Sequence, residues 1–483
     1  MRYFFILPLV LALSACSLTP PLVKPELPVP SQFPDNVQRT QGLAYGADLD
    51  WRTMFADPRL QRLIRLALDN NRDLRVAALN VQAVQAQFHI QRAAQLPGID
   101  LNGAMSRGRM AADAMADGDT ASVREQHSVA FGLSAFEIDL FGRLQAQSDA
   151  AFARYLATDQ GHRAAEIALV GAVADAYFAE RLAQGQLQLA QQTLTDWQQS
   201  LDLARRLKQA DQNSGLDVAQ AEGQVATAEA DLQSRQRTLA QARNALDLLV
   251  GAELPAGLPE PMALDDRPVV MRLPAGLPSD LLLRRPDILQ AEQNLLAANA
   301  DIGAARAAFF PRLSLTASLG FASPAMSGLF DSGRHVWEFS PQISQPLFQG
   351  GRLRAELRLA ELRKSVAVAE YEHAIQAAFR EVADGLAGQA TYGSQIDAQA
   401  RVVASAERRV ALSGQRYRAG LDGRLELLDS QRQLYAARQT LLDLYSQQLS
   451  NTVALYKALG GGLVSEAADT LAGTADLDGK VAR

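Results

Sequence analysis

Leu313-Ser314-Leu315-Thr316-Ala317-Ser318-Leu319-Gly320-Phe321 decides how this chain folds. Odd positions are apolar, and even positions are small or polar. Successive strand side chains point to opposite faces, so one face of this strand is greasy and the other wet. Three further stretches alternate likewise. Trp337, Phe339 and Ile343 oppose Glu338, Ser340, Gln342 and Ser344; Ile99, Leu101 and Met105 oppose Asp100, Asn102 and Ser106; Val129, Phe131 and Leu133 oppose Ser128, Ala130, Gly132 and Ser134. Strands are expected over about 98–109, 127–140, 312–321 and 335–347.

The alternation fits two arrangements. One is a half-buried sheet resting on a helix. The other is a membrane barrel with lipid outside and water inside. The strand lengths suit the roughly 9–11 residues of a tilted membrane strand, and Trp337 and Phe339 near one strand end suit an interfacial girdle. Four strands in one phase, on a chain with an export signal, favour the barrel. Four strands cannot close, and an open edge in lipid leaves backbone groups unsatisfied at several kcal/mol each. The barrel therefore demands several copies. Three give twelve strands, within the bacterial range; the arithmetic also admits dimers and tetramers. The loops Met110–Glu125 and Ala322–Arg334, rich in small and polar residues, are expected as exposed tips.

The N-terminus carries the export signal. Met1-Arg2 is a short positive start, Tyr3 to Leu13 is apolar, and Leu13-Ser14-Ala15-Cys16 follows. This order makes 1–15 a secretory signal peptide, too short to span a bilayer. Cys16 is the sole cysteine, so it has no partner for an internal disulfide. Leu-Ser-Ala-Cys resembles the bacterial lipobox, which implies N-acyl and diacylglycerol lipid on Cys16. The other reading is a free cysteine beside an ordinary signal peptide. Ser17 stands where an Asp would, by the same resemblance, imply inner-membrane retention.

Prolines partition the rest. They crowd between Pro20 and Pro34, which makes 16–56 a semi-rigid tether. They crowd again from Pro255 to Pro286, which makes 255–285 a linker. None lies between Pro97 and Pro255 or after Pro346. Proline costs about 3 kcal/mol inside a helix, so these spans are free to form long helices. They are expected over Arg143–Asn213 and Arg352–Ala419, each on the order of 100 Å long, with return helices over Leu216–Leu249 and Leu425–Leu459. Leu182, Leu187, Leu189, Leu194, Leu201 and Leu207 give the spacing of antiparallel coiled-coil packing. Gln-rich stretches such as Gln184–Gln192 leave a solvated face.

The chain also repeats itself. Ala86, Arg92 and Pro97 match Ala300, Arg306 and Pro311 at one offset; Asn71-Arg72-Asp73 matches Arg285-Pro286-Asp287, and Leu216-Asp217 matches Leu428-Asp429. Each half, 57–254 and 286–462, reads helix, strand, strand, helix, helix. The opening helices are expected over Pro58–Leu96 and Pro286–Phe310. Residues 463–483 read as a disordered tail.

Composition excludes several functions. Net charge is −6 with acids and bases interleaved, so no basic stripe offers itself to nucleic acid. His89, His127, His162, His335 and His373 show no metal-ligand spacing. Gly350-Gly351 lacks the rest of a phosphate loop, and no nucleophile motif appears. The chain is not expected to be an enzyme or to hold a metal.

Phe136-Glu-Ile-Asp-Leu-Phe-Gly-Arg143, Arg285-Pro-Asp-Ile288, Ala307-Ala-Phe-Phe-Pro-Arg312, Gln345-Pro-Leu-Phe-Gln-Gly-Gly-Arg352, Tyr417-Arg-Ala-Gly420 and Leu427-Leu-Asp-Ser-Gln-Arg432 together resemble the outer-membrane factors of tripartite pumps. These are the TolC/OprM/NodT-like proteins, and the OprM-like lipoprotein branch is nearest. The resemblance covers nearly all of the mature chain. It implies an α+β membrane protein with two internal repeats. Its trimer forms a twelve-stranded β-barrel, four strands per protomer, continuing into a periplasmic α-helical coiled-coil barrel. It further implies an outer-membrane, lipid-anchored, passive gated conduit exporting small toxic molecules, working with a periplasmic adaptor and an inner-membrane transporter of RND type. A conduit for secreted proteins and a poreless coiled-coil scaffold are the competing functions.

By the same resemblance, Asp429 and Arg432 occupy the aperture-pair positions. Glu426 lies three residues before Asp429 on the same helical face, and threefold repetition would ring a mouth with six carboxylates that attract cations. Asp217 is the first-half match and a candidate partner for Tyr417 or Arg418. Some TolC-like members carry arginine where Asp422 stands; Arg424 is near. Gly420 and Gly423 suit a turn, as does the first-half turn Asp211–Gly215. Gly420, Asp422, Gly423 and Gly215 are the expected adaptor-contacting tip.

Overall fold

The computed structural model describes residues 17–30, 49–109, 123–212, 214–271 and 283–461. The expected signal peptide, Cys16, parts of the expected tether and linker, most of the first loop and the expected tail lie outside them. The helices are α1 (Trp51–Met54), α2 (Pro58–Asn70), α3 (Arg72–Ala93), α4 (Arg143–Gln209), α5 (Gly215–Val250), α6 (Pro286–Ala307), α7 (Arg352–Arg418) and α8 (Arg424–Ala458). The strands are β1 (Asp100–Arg109), β2 (Val123–Ile138), β3 (Arg312–Ser323) and β4 (His335–Ser344). No helix among the described residues is long and apolar enough to cross a membrane. The described residues fall into two compact units, one drawn from 1–26, 80–159 and 290–371, the other from 27–79, 160–289 and 372–483.

The first unit holds a four-stranded antiparallel sheet in the order β1-β2-β3-β4. Its register aligns the apolar faces of all four strands. Leu101 pairs with Phe131, Phe131 with Leu319, and Leu319 with Trp337. The neighbouring row on the other face is Asp100, Gly132, Ser318 and Glu338. A bulge at Ala135 (φ 52°) interrupts β2. One extra residue resets the side-chain phase, so Phe136 and Ile138 pair with Leu315 and Leu313 on the apolar face. The Ala135 amide donates to Thr316 Oγ1 at 3.2 Å.

Past β2, Asp139 caps α4 by accepting from the amides of Arg143 at 2.7 Å and Gln145 at 2.8 Å. The Arg143 guanidinium grips Glu137 in a two-bond fork at 2.8 and 2.6 Å. Phe141 stacks on Phe310 at 4.7 Å. The charged and aromatic residues of the Phe136–Arg143 motif thus tie strand end to helix start.

The second unit is built on long helices. α4 and α7 each have 67 residues; α5 and α8 have 36 and 35. Antiparallel packing is marked by cross-helix pairs, Arg205 with Glu222 at 2.8 Å and Arg235 with Gln186 at 2.7 Å. Between α4 and α5, Trp197, Leu201 and Ala204 bury against Val218, Ala221, Val225 and Ala228. Tyr435 of α8 meets Trp197 edge-on at 6.1 Å.

The opening helix of the first half differs from expectation. The span Pro58–Leu96 is broken at Asn71, which is extended (φ −60°, ψ 131°). Asn71 Oδ1 accepts from the Leu74 amide at 2.9 Å, and its Nδ2 donates to the Leu249 carbonyl at 2.8 Å. A short polar side chain that satisfies a helix's first amides favours a new start over continuation.

The end of the expected tether is folded as well. Trp51, Met54 and Phe55 are buried, and Phe55 bridges Val269. Asp57, fully buried, caps α2 through the amides of Arg59 and Leu60 at 2.8 and 3.4 Å, and accepts from Tyr177 Oη at 2.6 Å and the Met262 amide at 3.1 Å. One carboxylate thereby joins α2, α4 and the linker.

Candidate functional site

Two regions carry the candidate functional residues: the sheet face and the α7–α8 tip. On the sheet, Leu101, Phe131, Leu319 and Trp337 are between 60% and 77% exposed. With Phe339 and Ile343, also exposed, they form a continuous apolar surface far beyond the isolated exposed apolar residues of soluble proteins. β1 and β4 are edge strands.

The proline segment is docked. Its residues run antiparallel to α6: Leu18 O accepts from Arg306 Nη1 at 3.5 Å, Pro20 O from Asn299 Nδ2 at 2.8 Å, and Lys24 Nζ pairs with Glu292 at 2.5 Å. Thr19 sits against Gly303, where a Cβ would come within 2.1 Å of its hydroxyl. Residues 18–24 are therefore a strap on α6, and Cys16, the expected lipidation site, lies two residues before Leu18.

At the tip, α7 turns into α8 through Gly420 at φ 69°, a left-handed conformation that favours glycine. Gly423 has ordinary extended geometry (φ −73°, ψ 161°) and precedes α8 without a side-chain cap. In the first half, the positive φ falls on Asp211 (56°), not on Gly215, which is the first residue of α5.

The expected gate residues are distributed as follows. Glu426 and Asp429 both meet Arg409 of α7, Glu426 at 3.0 Å and Asp429 at 3.3 Å. Arg432 approaches Asp429 only to 3.8 Å. Asp217 closes a capping box with Ser214. Arg418 donates to the Gly414 carbonyl at 3.1 Å. Tyr417 is buried beneath Arg424, whose guanidinium lies 5.7 Å from its ring centroid. Asp422 pairs with Arg416 at 2.5 and 2.7 Å, and this hydrogen-bonded guanidinium holds its carboxyl below the usual range. Within one chain the structure joins Asp429 to Glu426 through Arg409, and leaves Asp217 at its own helix start.

Two arginines went unread or half-read in the sequence. Arg424, 2% exposed, donates to Ser200 O and Oγ at 3.2 and 3.1 Å and so fastens the α8 start to α4. Arg409 is twenty residues from Asp429, beyond any local spacing rule. Reflecting the hairpin about Leu421 sets position 409 opposite 433, and this is the signal that finds it. A cleft of about 780 Å³ between the helices is lined by Arg408, Arg409, Arg416, Asp422, Leu425 and Glu426.

The model of the outer membrane efflux protein family matches residues 63–252 and 277–461. The chain is 46% identical over 465 residues to the solvent efflux pump outer membrane protein SrpC of Pseudomonas putida, covering 94% of this chain and 97% of the relative. A membrane protein of Pseudomonas aeruginosa superposes with a TM-score of 0.85 at 40% identity, covering 92% of this chain and all of that one. The open state of the MtrE outer membrane channel of Neisseria gonorrhoeae gives 0.84 at 38% identity, covering 93% and 99%. On the sheet, the paired long helices and these matches across both halves, the chain belongs to the outer membrane efflux protein family.

Proposed function

We propose that three copies of this chain close a twelve-stranded barrel in the outer membrane and form a passive, gated conduit that exports small toxic molecules. One observation carries this reading. The apolar row Leu101–Phe131–Leu319–Trp337 crosses a sheet whose two edge strands are unpaired. Lipid satisfies the apolar face, and pairing of β4 with β1 of the next copy satisfies the edges. Since the order alternates in direction, such a pairing is antiparallel, like every other in the sheet.

The long helices supply the periplasmic path, and the α7–α8 tip with Glu426, Asp429 and Arg432 supplies the gate. Gly420, Asp422, Gly423 and Gly215 lie at or beside the two turns, and we assign the contact with a periplasmic adaptor to these turns. Energy is supplied by an inner-membrane transporter of RND type. Lipid on Cys16, placed by the 18–24 strap, anchors the copy to the membrane. Small, apolar cargo is favoured over secreted protein by the solvent-pump relative.

Native mass spectrometry of the detergent-extracted, full-length protein tests the assembly. The proposal expects a trimer carrying lipid mass on each chain. A folded monomer or dimer overturns the barrel, and a trimer without lipid mass overturns only the anchor.

A further inference from the structure

Arg409 gathers three α8 side chains from across the hairpin. Its Nε and Nη2 donate to Glu426 Oε1 at 3.2 and 3.0 Å, its Nη2 to Asp429 Oδ2 at 3.3 Å, and its Nη1 to Gln433 Oε1 at 2.5 Å. Gln433 Nε2 closes the circuit by donating to Asp429 Oδ2 at 2.8 Å. Arg432, the partner that the family resemblance selects, sits on the same helix as Asp429, stays 3.8 Å away and is 60% exposed against 41% for Arg409. A planar fork reaching two carboxylates at once suits arginine and not lysine.

We propose that Arg409 sets the charge of the mouth. It positions Glu426 and Asp429 and neutralises part of their field, so that Arg409, Arg432, Glu426 and Asp429 sum to zero in each copy. The mouth is then a ring of compensated pairs and not a ring of six free carboxylates, and its preference for cations is correspondingly weak. Because the donor is on α7 and the acceptors are on α8, the clamp also spans both arms of the hairpin. This inference rests on the gated-conduit reading above.

The test is the cation-to-anion permeability ratio of the full-length trimer in planar bilayers under a KCl gradient. An uncompensated unit charge roughly 8 Å from a passing ion changes its local concentration about twofold in water. Arg409→Gln is expected to raise the ratio about twofold or more. Arg409→Lys keeps the charge but loses the fork, and is expected to shift the ratio less than Arg409→Gln does. Arg409→Gln with Glu426→Gln restores zero net charge and returns the ratio to the parental value. Arg432→Gln gives the smaller shift. Removing a purely structural contact would lower trimer stability without this pattern of loss and restoration.

An unchanged ratio in Arg409→Gln, or a larger shift from Arg432→Gln, overturns the role of Arg409 while leaving the conduit intact. A folded parent trimer that does not conduct overturns the conduit reading and the inference with it.

Discussion

Asn71 and Arg285 do the same work in the two halves of the chain. Asn71 Nδ2 donates to the Leu249 carbonyl and Arg285 Nη1 to the Ala458 carbonyl, both at 2.8 Å. Each residue thus ties the start of a helix to the last turn of the return helix of its own half. The two differ in reach. Asn71 caps α3 directly, whereas Arg285 also holds Asp287 at 2.7 Å and Glu381 at 2.8 Å. Arg285-Pro-Asp-Ile288 is therefore a structural knot joining α6, α7 and α8.

This difference predicts unequal costs. Arg285→Ala strands two carboxylates and a carbonyl around a buried site; because Asp287 and Glu381 are partly exposed, the loss is about 2–3 kcal/mol. Asn71→Ala removes one cap and one hydrogen bond, about 1–2 kcal/mol. Thermal unfolding followed by circular dichroism ranks them; equal midpoints would remove the distinction.

Asp57 predicts a larger loss for its size. It is fully buried and accepts from Tyr177 and from three backbone amides. Asp57→Ala is expected to cost about 3 kcal/mol, while Asp57→Asn, which keeps an acceptor for the cap, costs less. The same unfolding measurement decides; parity between Asn and Ala variants contradicts the capping account.

Tyr435 predicts an alkaline limit. Burial, and then its bond to the Asp231 carboxylate, push its hydroxyl up to about 12. A raised folded-state value means that the folded chain holds the proton more tightly. The resulting stability is full below the ordinary tyrosine value near 10 and is lost as pH rises from about 10 to about 12. Allowing for partial exposure, the loss is below about 2 kcal/mol per chain. Tyr435→Phe is expected to flatten stability over that window; an unchanged slope contradicts this assignment.

These residues mark where the sequence was legible. Alternation at Leu313–Phe321 is a local, period-two signal, and it stands in β3 as it stands in the sequence. Absence of proline likewise marks helices that a 67-residue element can fill. The break at Asn71 depends on a carbonyl 178 residues away. The bulge at Ala135 depends on the register with β3. Arg409 depends on how far the hairpin arms overlap. Each needs a tertiary partner that no local period encodes. The pairing of Asp217 with Ser214 is the converse case, a capping box encoded by the local Ser-x-x-Asp spacing.

The strap predicts a protease signature. Gly303→Leu would drive a side chain into Thr19 and lift residues 18–24 from α6. Proteinase K cleavage between Leu22 and Lys24 is expected to quicken severalfold without a matching loss of helix content. Unchanged cleavage would show that the strap is held elsewhere.

The proposed conduit is water-filled and closed at the α7–α8 tip. Single-channel recording of the purified protein in planar bilayers, beside an Asp429→Ala/Arg432→Ala double variant, tests it most directly. Small conductance steps are expected in the parent and larger ones in the variant, where Arg409 retains only Glu426 among its carboxylate partners. Absence of conductance from both, in preparations shown to be folded, contradicts it.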